Sequence, residues 1–125
     1  MDITPAIPAG RQIIESYGAG RFRVSGRLHE GSVLVFPQEI LGWDLREISA
    51  LTLESLAPVI QRASDVEVLL LGCGPRMSLV PGALRKALRA AGIVIEPMDT
   101  GAACRTFNVL MAEERRVAAA LIAVD

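Results

Sequence analysis

The sequence has few of the residue types that build the commonest metal-binding and catalytic sites. It contains one histidine, His29, and two cysteines, Cys73 and Cys104, among 125 residues. Two cysteines are too few for a disulfide framework, and they stay as thiols in a reducing compartment. One histidine and two distant cysteines do not make an ordinary zinc site, and no Gly-x-Ser-x-Gly motif indicates a serine hydrolase. We therefore predict no catalytic triad, metal site or cofactor, and we place His29 on an exposed turn.

Excess charge of one sign and long apolar runs are also missing. The formal net charge is −1 and the isoelectric point is near 5.8, so no nucleic-acid partner is expected. Residues 85–89 carry the nearest basic cluster, which we interpret as the solvated face of a helix. The longest apolar run, residues 117–124, is too short to cross a bilayer, so no integral membrane segment is predicted. The N-terminus carries Asp2 and two early prolines, with no basic region followed by an apolar region, so no signal peptide is predicted and we expect a cytoplasmic location.

Aromatic residues are scarce, although half of the chain is hydrophobic. Aromatic residues make up 4% of the sequence and hydrophobic residues 51%, so leucine, isoleucine, valine and alanine must build the core. This composition is typical of a buried sheet covered by helices and excludes a disordered chain. The length is that of one domain, and we predict a single α/β domain over residues 1–125.

Up to about residue 49, short apolar stretches alternate with glycine-bearing turns. Phe22 and Val24 alternate with Arg21 and Arg23, for example, and a Ser-Gly pair follows them. A period of two that is broken by such turns predicts an antiparallel β-meander.

Beyond residue 49 the apolar period lengthens and predicts helices. Thr52 is expected to cap a helix whose apolar positions, from Leu53 to Ile60, share one face. Because Pro58 lacks an amide donor, this helix should begin late or bend there. Pro81 is expected at the first position of a second helix that ends just before Gly92.

Continuous apolar runs between these helices predict buried strands. They cover residues 66–71, 93–95 and 117–124. The last run is ambiguous, since its alanines favour a helix, but a sheet that needs a further strand favours β structure. A third helix, capped by Asp99 or Thr100, follows the second strand. Together, the predicted strands and helices indicate a mixed central sheet with helices, preceded by the meander.

Ligands in open α/β sheets bind beyond the carboxyl ends of the strands. If their strands are neighbours, residues 72–75 and 98–101 share one such rim, where a small anion could meet free amides of Gly72 and Gly74. A tight turn that needs glycine explains the same residues more simply. The candidate ligand-binding residues are Gly72, Cys73, Gly74, Asp99, Thr100, Arg105 and Asn108.

The cysteines and the polar helix residues at this rim each have a structural alternative. A reactive thiol would need a lowered pKa, and otherwise a cysteine packs as a small apolar residue. Cys104 shares the helix face of Phe107, which favours packing, so Cys73 is the better candidate for exposure. Arg105 and Asn108 could present polar groups at the rim, but a structural polar network is the preferred interpretation.

Several segments together resemble a known family. They are residues 16–22, 31–32 and 43 in the first half, and 70–74, 92–93, 96–100, 103–110 and 114–121 in the second. Over residues 11–123 the chain resembles the family of the mitochondrial complex I assembly factor 3 and the adipogenesis-associated domain protein of animals. Cys73 stands where many relatives carry a small hydroxyl residue, and Phe107 where tyrosine is common, which removes a phenol from any polar site.

The resemblance implies a three-layer α/β fold with a mixed central sheet and a final strand at 117–124. It implies no established enzymatic activity, and it implies protein partners, either respiratory-complex subunits or other assembly factors. The chain looks like a bacterial, cytoplasmic member. Two hypotheses follow: a non-enzymatic interaction module that assists the assembly of a respiratory or other membrane complex, or a small anionic-ligand binder or enzyme that uses the rim.

Overall fold

The structure, a computed structural model, describes residues 10–125. The strands are β1 (Ile14–Gly18), β2 (Arg21–Val24), β3 (Arg27–Glu30), β4 (Val33–Phe36), β5 (Glu39–Gly42), β6 (Val68–Gly72), β7 (Val94–Met98) and β8 (Val117–Leu121). The helices are α1 (Ala57–Ile60), α2 (Gly82–Ala90) and α3 (Thr100–Ala112). None of these helices combines the length and the apolar character that crossing a membrane takes. Residues 1–9, which include the Asp2 and the early prolines cited for the signal-peptide expectation, lie outside the described part.

The strands form two sheets. β1, β2 and β3 make an antiparallel meander, and the larger sheet has the order β5-β4-β8-β6-β7. In the larger sheet β6 runs parallel to both β7 and β8, whereas β4 runs antiparallel to β5 and β8. The predicted α/β class, with a mixed central sheet and an antiparallel meander before it, is confirmed.

Both faces of the larger sheet are covered, which gives three layers. Alternate side chains of a strand point to opposite faces, so Leu69 and Leu71 belong to one apolar cluster and Leu70 to another. The first cluster includes Leu84 and Leu88 of α2. The second includes residues of α3 and of the meander. The continuous apolar run in β6 therefore marks a strand that is buried on both sides, as predicted.

The segment predicted as a helix after Thr52 is broken into short pieces. A 3-10 turn covers Glu54–Leu56, and the single turn of α1 follows it with Pro58 in its first turn, so the α-helix begins late, as predicted. Thr52 does cap this turn, since its hydroxyl oxygen accepts a hydrogen bond from the Ser55 amide at 3.1 Å. Leu53 is exposed, so the predicted apolar face is wrong at that position.

Other differences concern strand ends and edges. His29 lies within β3 opposite Phe22, so its prediction as a turn residue is wrong. The strand predicted at 93–95 runs instead over β7, an edge strand on which Val94 is exposed. α2 begins at Gly82, one residue after the predicted start, with Gly92 just past its end as expected. The last strand stops at Leu121 rather than at residue 124.

Candidate functional site

The two predicted loops do meet at one edge of the larger sheet. β6 and β7 are parallel neighbours, with Gly72 opposite Met98. The backbone continues this contact beyond the strands: the Cys73 amide donates to the Met98 carbonyl at 2.8 Å, and the Thr100 amide donates to the Gly74 carbonyl at 2.8 Å. The rim that the sequence predicted from two strand ends is therefore a real junction between β6, β7 and the start of α3.

Thr100 closes this junction from the inside. Its side chain is fully buried, and its hydroxyl accepts a hydrogen bond from the Gly74 amide at 3.0 Å. The same hydroxyl donates to the carbonyl of Ile122, just after β8, at 2.7 Å. One hydroxyl thus joins the ends of β6 and β8 to α3. The prediction of a free amide at Gly74 is wrong, because a side chain 26 residues away already satisfies it.

Asp99 has the role that the sequence predicted for a capping residue. It is the residue before α3, and its Oδ1 accepts a hydrogen bond from the Ala102 amide at 2.9 Å. This bond satisfies one of the amides that have no partner within the first turn of a helix.

Position 72 requires glycine because Thr100 and Leu121 approach its backbone closely, and not because its dihedral angles are unusual. A Cβ built on it would lie 3.0 Å from the Thr100 Cα and 3.0 Å from Cδ2 of Leu121. The Thr100 Cα belongs to the backbone and cannot rotate away. The absence of a side chain at Gly72 therefore lets α3 begin directly against the end of β6.

We expect Gly72→Ala to lower the free energy of unfolding by about 2 kcal/mol, since overpacking a tight core has that effect. Urea denaturation followed by circular dichroism measures it. Gly82→Ala is the matched control, because a Cβ there meets nothing within 4 Å and alanine favours the helix. Equal stability changes in the two variants would contradict the close-approach interpretation.

Both thiols are buried. Cys73 is 5% exposed and Cys104 is 3% exposed, so the expectation that Cys73 offers an exposed thiol is wrong. It belongs to the apolar cluster that also holds Val80, which follows it in the loop before α2. Cys104 is buried in the opposite cluster with Phe107, as the packing interpretation expects. Burial raises the pKa of the Cys104 thiol to about 12, and nearby Arg105 lowers it only in part.

Asn108 joins α3 to the meander. Its Oδ1 accepts a hydrogen bond from the Ile14 amide at 2.9 Å, and its Nδ2 donates to the Ile14 carbonyl at 2.8 Å. The pairing of β1 with β2 shifts register between Ile14 and Ser16. Both backbone groups of Ile14 thus have their partner on α3, which supports the preferred interpretation of Asn108 as a structural polar residue.

An open groove of about 300 Å³ lies between β1 and α3. It is lined by Ile14, Glu15, Ser16, Tyr17, Cys104, Arg105 and Asn108. Arg105 is exposed, and none of the ion pairs found among residues 10–125 includes it. Of the predicted rim residues, only Arg105 and Asn108 line this groove, whereas Gly72, Cys73, Gly74 and Thr100 are buried.

Tyr17 is a groove residue that the sequence reasoning did not select. It is 43% exposed, and a Cβ built on Gly101 would overlap its hydroxyl. Gly101 is therefore needed for Tyr17 to lie against the first turn of α3. The available signal was the family resemblance, since Tyr17 belongs to one of the segments that carry it.

A second cavity, of about 240 Å³, lies partly between β5 and the end of α3, and three of the arginines that line it form ion pairs. Arg62 donates to both carboxylate oxygens of Glu39, at 3.0 and 3.1 Å, and stacks on Phe36 at 5.1 Å from the ring centroid. This hydrogen bonding lowers the pKa of Glu39. Arg115 similarly pairs with Glu67 at 3.1 Å. We interpret this cluster as a structural ion-pair network.

The comparisons with known proteins agree with this fold. Residues 14–122 match the family described as "Protein of unknown function (DUF498/DUF598)". The chain belongs to that family. Among solved structures, a Bartonella henselae protein described as an outer membrane protein superposes with a TM-score of 0.87 at 42% identity, covering 93% of this chain and 98% of that one. A Bordetella pertussis protein described as an Mth938-like domain superposes with a TM-score of 0.84 at 27% identity, covering 98% of this chain and 92% of that one.

Relatives of this DUF498/DUF598 chain include bacterial and animal proteins. An uncharacterised protein of Rhodobacter capsulatus is 37% identical over 114 residues, which cover 91% of this chain and 86% of the relative. NADH dehydrogenase [ubiquinone] 1 alpha subcomplex assembly factor 3 of Xenopus tropicalis is 36% identical over 109 residues, covering 87% of this chain and 60% of the animal protein. The predicted resemblance to complex I assembly factor 3 is confirmed, and the chain spans about three-fifths of that animal protein.

Proposed function

We propose that the protein is a non-enzymatic interaction module that assists the assembly of a respiratory or other membrane complex, acting from the cytoplasm. The observation that carries this proposal is the 36% identity to the animal assembly factor, which extends over 87% of this chain. The proposed partners are subunits of that complex or other assembly factors. The structure supports a binding role at the groove between β1 and α3, which holds exposed side chains on a well-packed framework.

The proposed docking surface follows the outside of α3. Tyr17 lies over Gly101, Arg105 is one turn further, and Val109 is one turn beyond Arg105. Val109 is 58% exposed. We call the surface formed by Tyr17, Arg105 and Val109 the α3 surface. It fits a partner segment that places apolar side chains on Tyr17 and Val109 and a carboxylate opposite Arg105.

A complementation experiment tests this proposal. In a host that lacks the protein, the amount of assembled respiratory complex I in membranes is measured by native gel electrophoresis and NADH oxidation. Wild type should restore the complex, whereas Arg105→Glu combined with Val109→Asp should leave it near the level of the deletion strain. Leu28→Asp is the control, since Leu28 is also exposed but lies on β3, away from α3. Normal levels of the respiratory complexes in the deletion strain would contradict the proposal.

The alternative function, binding a small anion, keeps one observation in its favour. Arg105 is exposed beside the groove of about 300 Å³, a volume in the range of small-molecule sites. The rest of the predicted anion site supports it less, because the Gly74 amide and the Thr100 hydroxyl are bonded to each other. A thermal-shift screen of small carboxylates and phosphates, with Arg105→Ala as the comparison, tests this alternative. A hit that stabilises both proteins equally would place the anion elsewhere.

A further inference from the structure

The charge of the chain is unevenly distributed along the sequence. The chain has 13 basic and 14 acidic residues, yet residues 68–95 include four basic residues and no acidic one. These four residues are Arg76, Arg85, Lys86 and Arg89. They belong to α2 and to the loop that leads into it from β6. A nearly neutral protein thus carries one segment of net charge +4.

The loop before α2 exposes large apolar side chains. Leu79 is 85% exposed and Met77 is 54% exposed. Their neighbour Val80 is buried in the apolar cluster beside α2, so the loop is anchored at its base while Leu79 projects into solvent. Removing so exposed an apolar side chain from water by burying it against another surface is favourable.

The outer face of α2 is basic. Leu84 and Leu88 face the core, while Lys86 and Arg89 are exposed on the other side of the helix. None of the ion pairs found in the described part of the chain includes Lys86, Arg89 or the exposed Arg76 of the loop. These cations are therefore available to an external anionic surface.

We propose that this surface, the 75–81 loop with the outer face of α2, binds the surface of an anionic lipid bilayer. Leu79 and Met77 enter the boundary between headgroups and acyl chains, and Arg76, Lys86 and Arg89 face the lipid phosphates. Leu79 is three residues before Gly82, so its Cα lies within about 11 Å of the start of the helix. Leu79 and the basic side chains of α2 can thus contact the same bilayer surface.

The shape of the surface favours a bilayer over a protein segment. Leu79 projects into solvent, and the depression on α2 is lined by Gly82, Ala83, Arg85, Lys86 and Arg89, so it offers basic side chains and no large apolar side chain, whereas a peptide partner is usually held in an apolar groove or along a strand edge. A fluid interface accommodates a projecting side chain without a matching pocket. The surface also lies on the face of the larger sheet opposite α3, because α2 and α3 pack in different apolar clusters. Lipid binding through α2 leaves the α3 surface free.

Vesicle flotation with the purified full chain tests this inference independently of any protein partner. Phosphatidylcholine vesicles are compared with vesicles that contain about 30% phosphatidylglycerol, at low and high salt. We expect binding only to the anionic vesicles, weakened by salt because screening reduces the attraction to the headgroups. Leu79→Asp should lower the partition coefficient by about tenfold or more. Lys86→Glu with Arg89→Glu should also lower it by at least about tenfold.

Two matched controls separate this surface from general effects of charge and hydrophobicity. Arg23→Glu with Arg27→Glu makes the same change of net charge on exposed positions of the meander, and Leu28→Asp makes the same apolar-to-acidic change there. Both should bind like wild type. The inference is overturned if wild type does not float, if it binds neutral vesicles equally, or if the controls lose as much binding as the α2 variants. It is also overturned if wild type captures a protein from a lysate, the Leu79→Asp variant loses that protein, and neither chain binds vesicles.

Discussion

Thr100→Val is expected to lower the free energy of unfolding by about 3 kcal/mol, although the two side chains have nearly the same shape. The valine would leave the Gly74 amide and the Ile122 carbonyl without their present partner, at a fully buried position. Each buried polar group that loses its only partner costs about 1–3 kcal/mol, because water cannot replace the bond. Urea or thermal denaturation of the variant, followed by circular dichroism, gives the change in the free energy of unfolding.

Two variants on the same helix separate the hydroxyl from the methyl group. Thr100→Ser keeps both hydrogen bonds and should lose only about 1 kcal/mol for the deleted methyl. Thr106→Val makes the same chemical change as Thr100→Val at a half-buried position, where it should change stability by less than about 0.5 kcal/mol. If Thr100→Val were as stable as Thr106→Val, the hydroxyl would not hold the junction together.

A large kinetic effect is expected at Cys104. In a Cys73→Ala background, its thiol should react with a disulfide reagent at pH 8 at least about a thousandfold more slowly in the folded protein than in urea. The reason is that burial raises its pKa from 9.0 to about 12, so the thiolate population falls by about three powers of ten, and the closed cluster also blocks access. Stopped-flow absorbance measures both rates.

The raised pKa of the Cys104 thiol also makes the free energy of unfolding depend on pH. Because the thiol of the unfolded chain ionises at a lower pH than that of the folded chain, this group lowers the free energy of unfolding as the pH rises above about 9. A native Cys104 that reacts within about tenfold of the unfolded rate would instead reveal an accessible thiol, and one that reacts faster than the unfolded chain would reveal an activated thiol. Only an activated thiol would strengthen the enzyme hypothesis.

Local sequence signals predicted the framework well. The apolar run in β6 is long enough to mark a strand buried on both faces, and Asp99 is a standard capping residue next to a helical pattern. These features depend on neighbours within a few positions of the same segment. The junction of β6 with β7 also followed, because two buried strands joined by a helix are commonly parallel neighbours.

The contacts that decide the chemistry at the rim could not be predicted from such local sequence signals. The partner of the Gly74 amide is 26 residues away, and the partner of Ile14 is 94 residues away. A Gly-x-Gly turn looks the same in sequence whether its amides are free or bonded to a threonine that follows another strand. The burial of Cys73 likewise depends on apolar side chains from other segments, which no periodicity records.

The two proposed surfaces suit a protein that works beside a membrane. The α3 surface lies on one face of the larger sheet, and the basic surface of α2 lies on the other. A protein could then contact the headgroups of a bilayer through one face and hold a subunit through the other. Each surface has its own variants, so a loss of lipid binding and a loss of partner binding can be observed separately.

The most direct measurement of the assembly role is affinity capture of the tagged protein from its native host, with quantitative mass spectrometry of the proteins that co-purify. Wild type and Leu28→Asp should enrich the same respiratory-complex subunits or assembly factors, and Arg105→Glu with Val109→Asp should lose them by at least about tenfold. Capture of no stable partner from cells that make functional complex I would contradict the role. Retention of the partner by the α3 variant would contradict the assignment of the α3 surface.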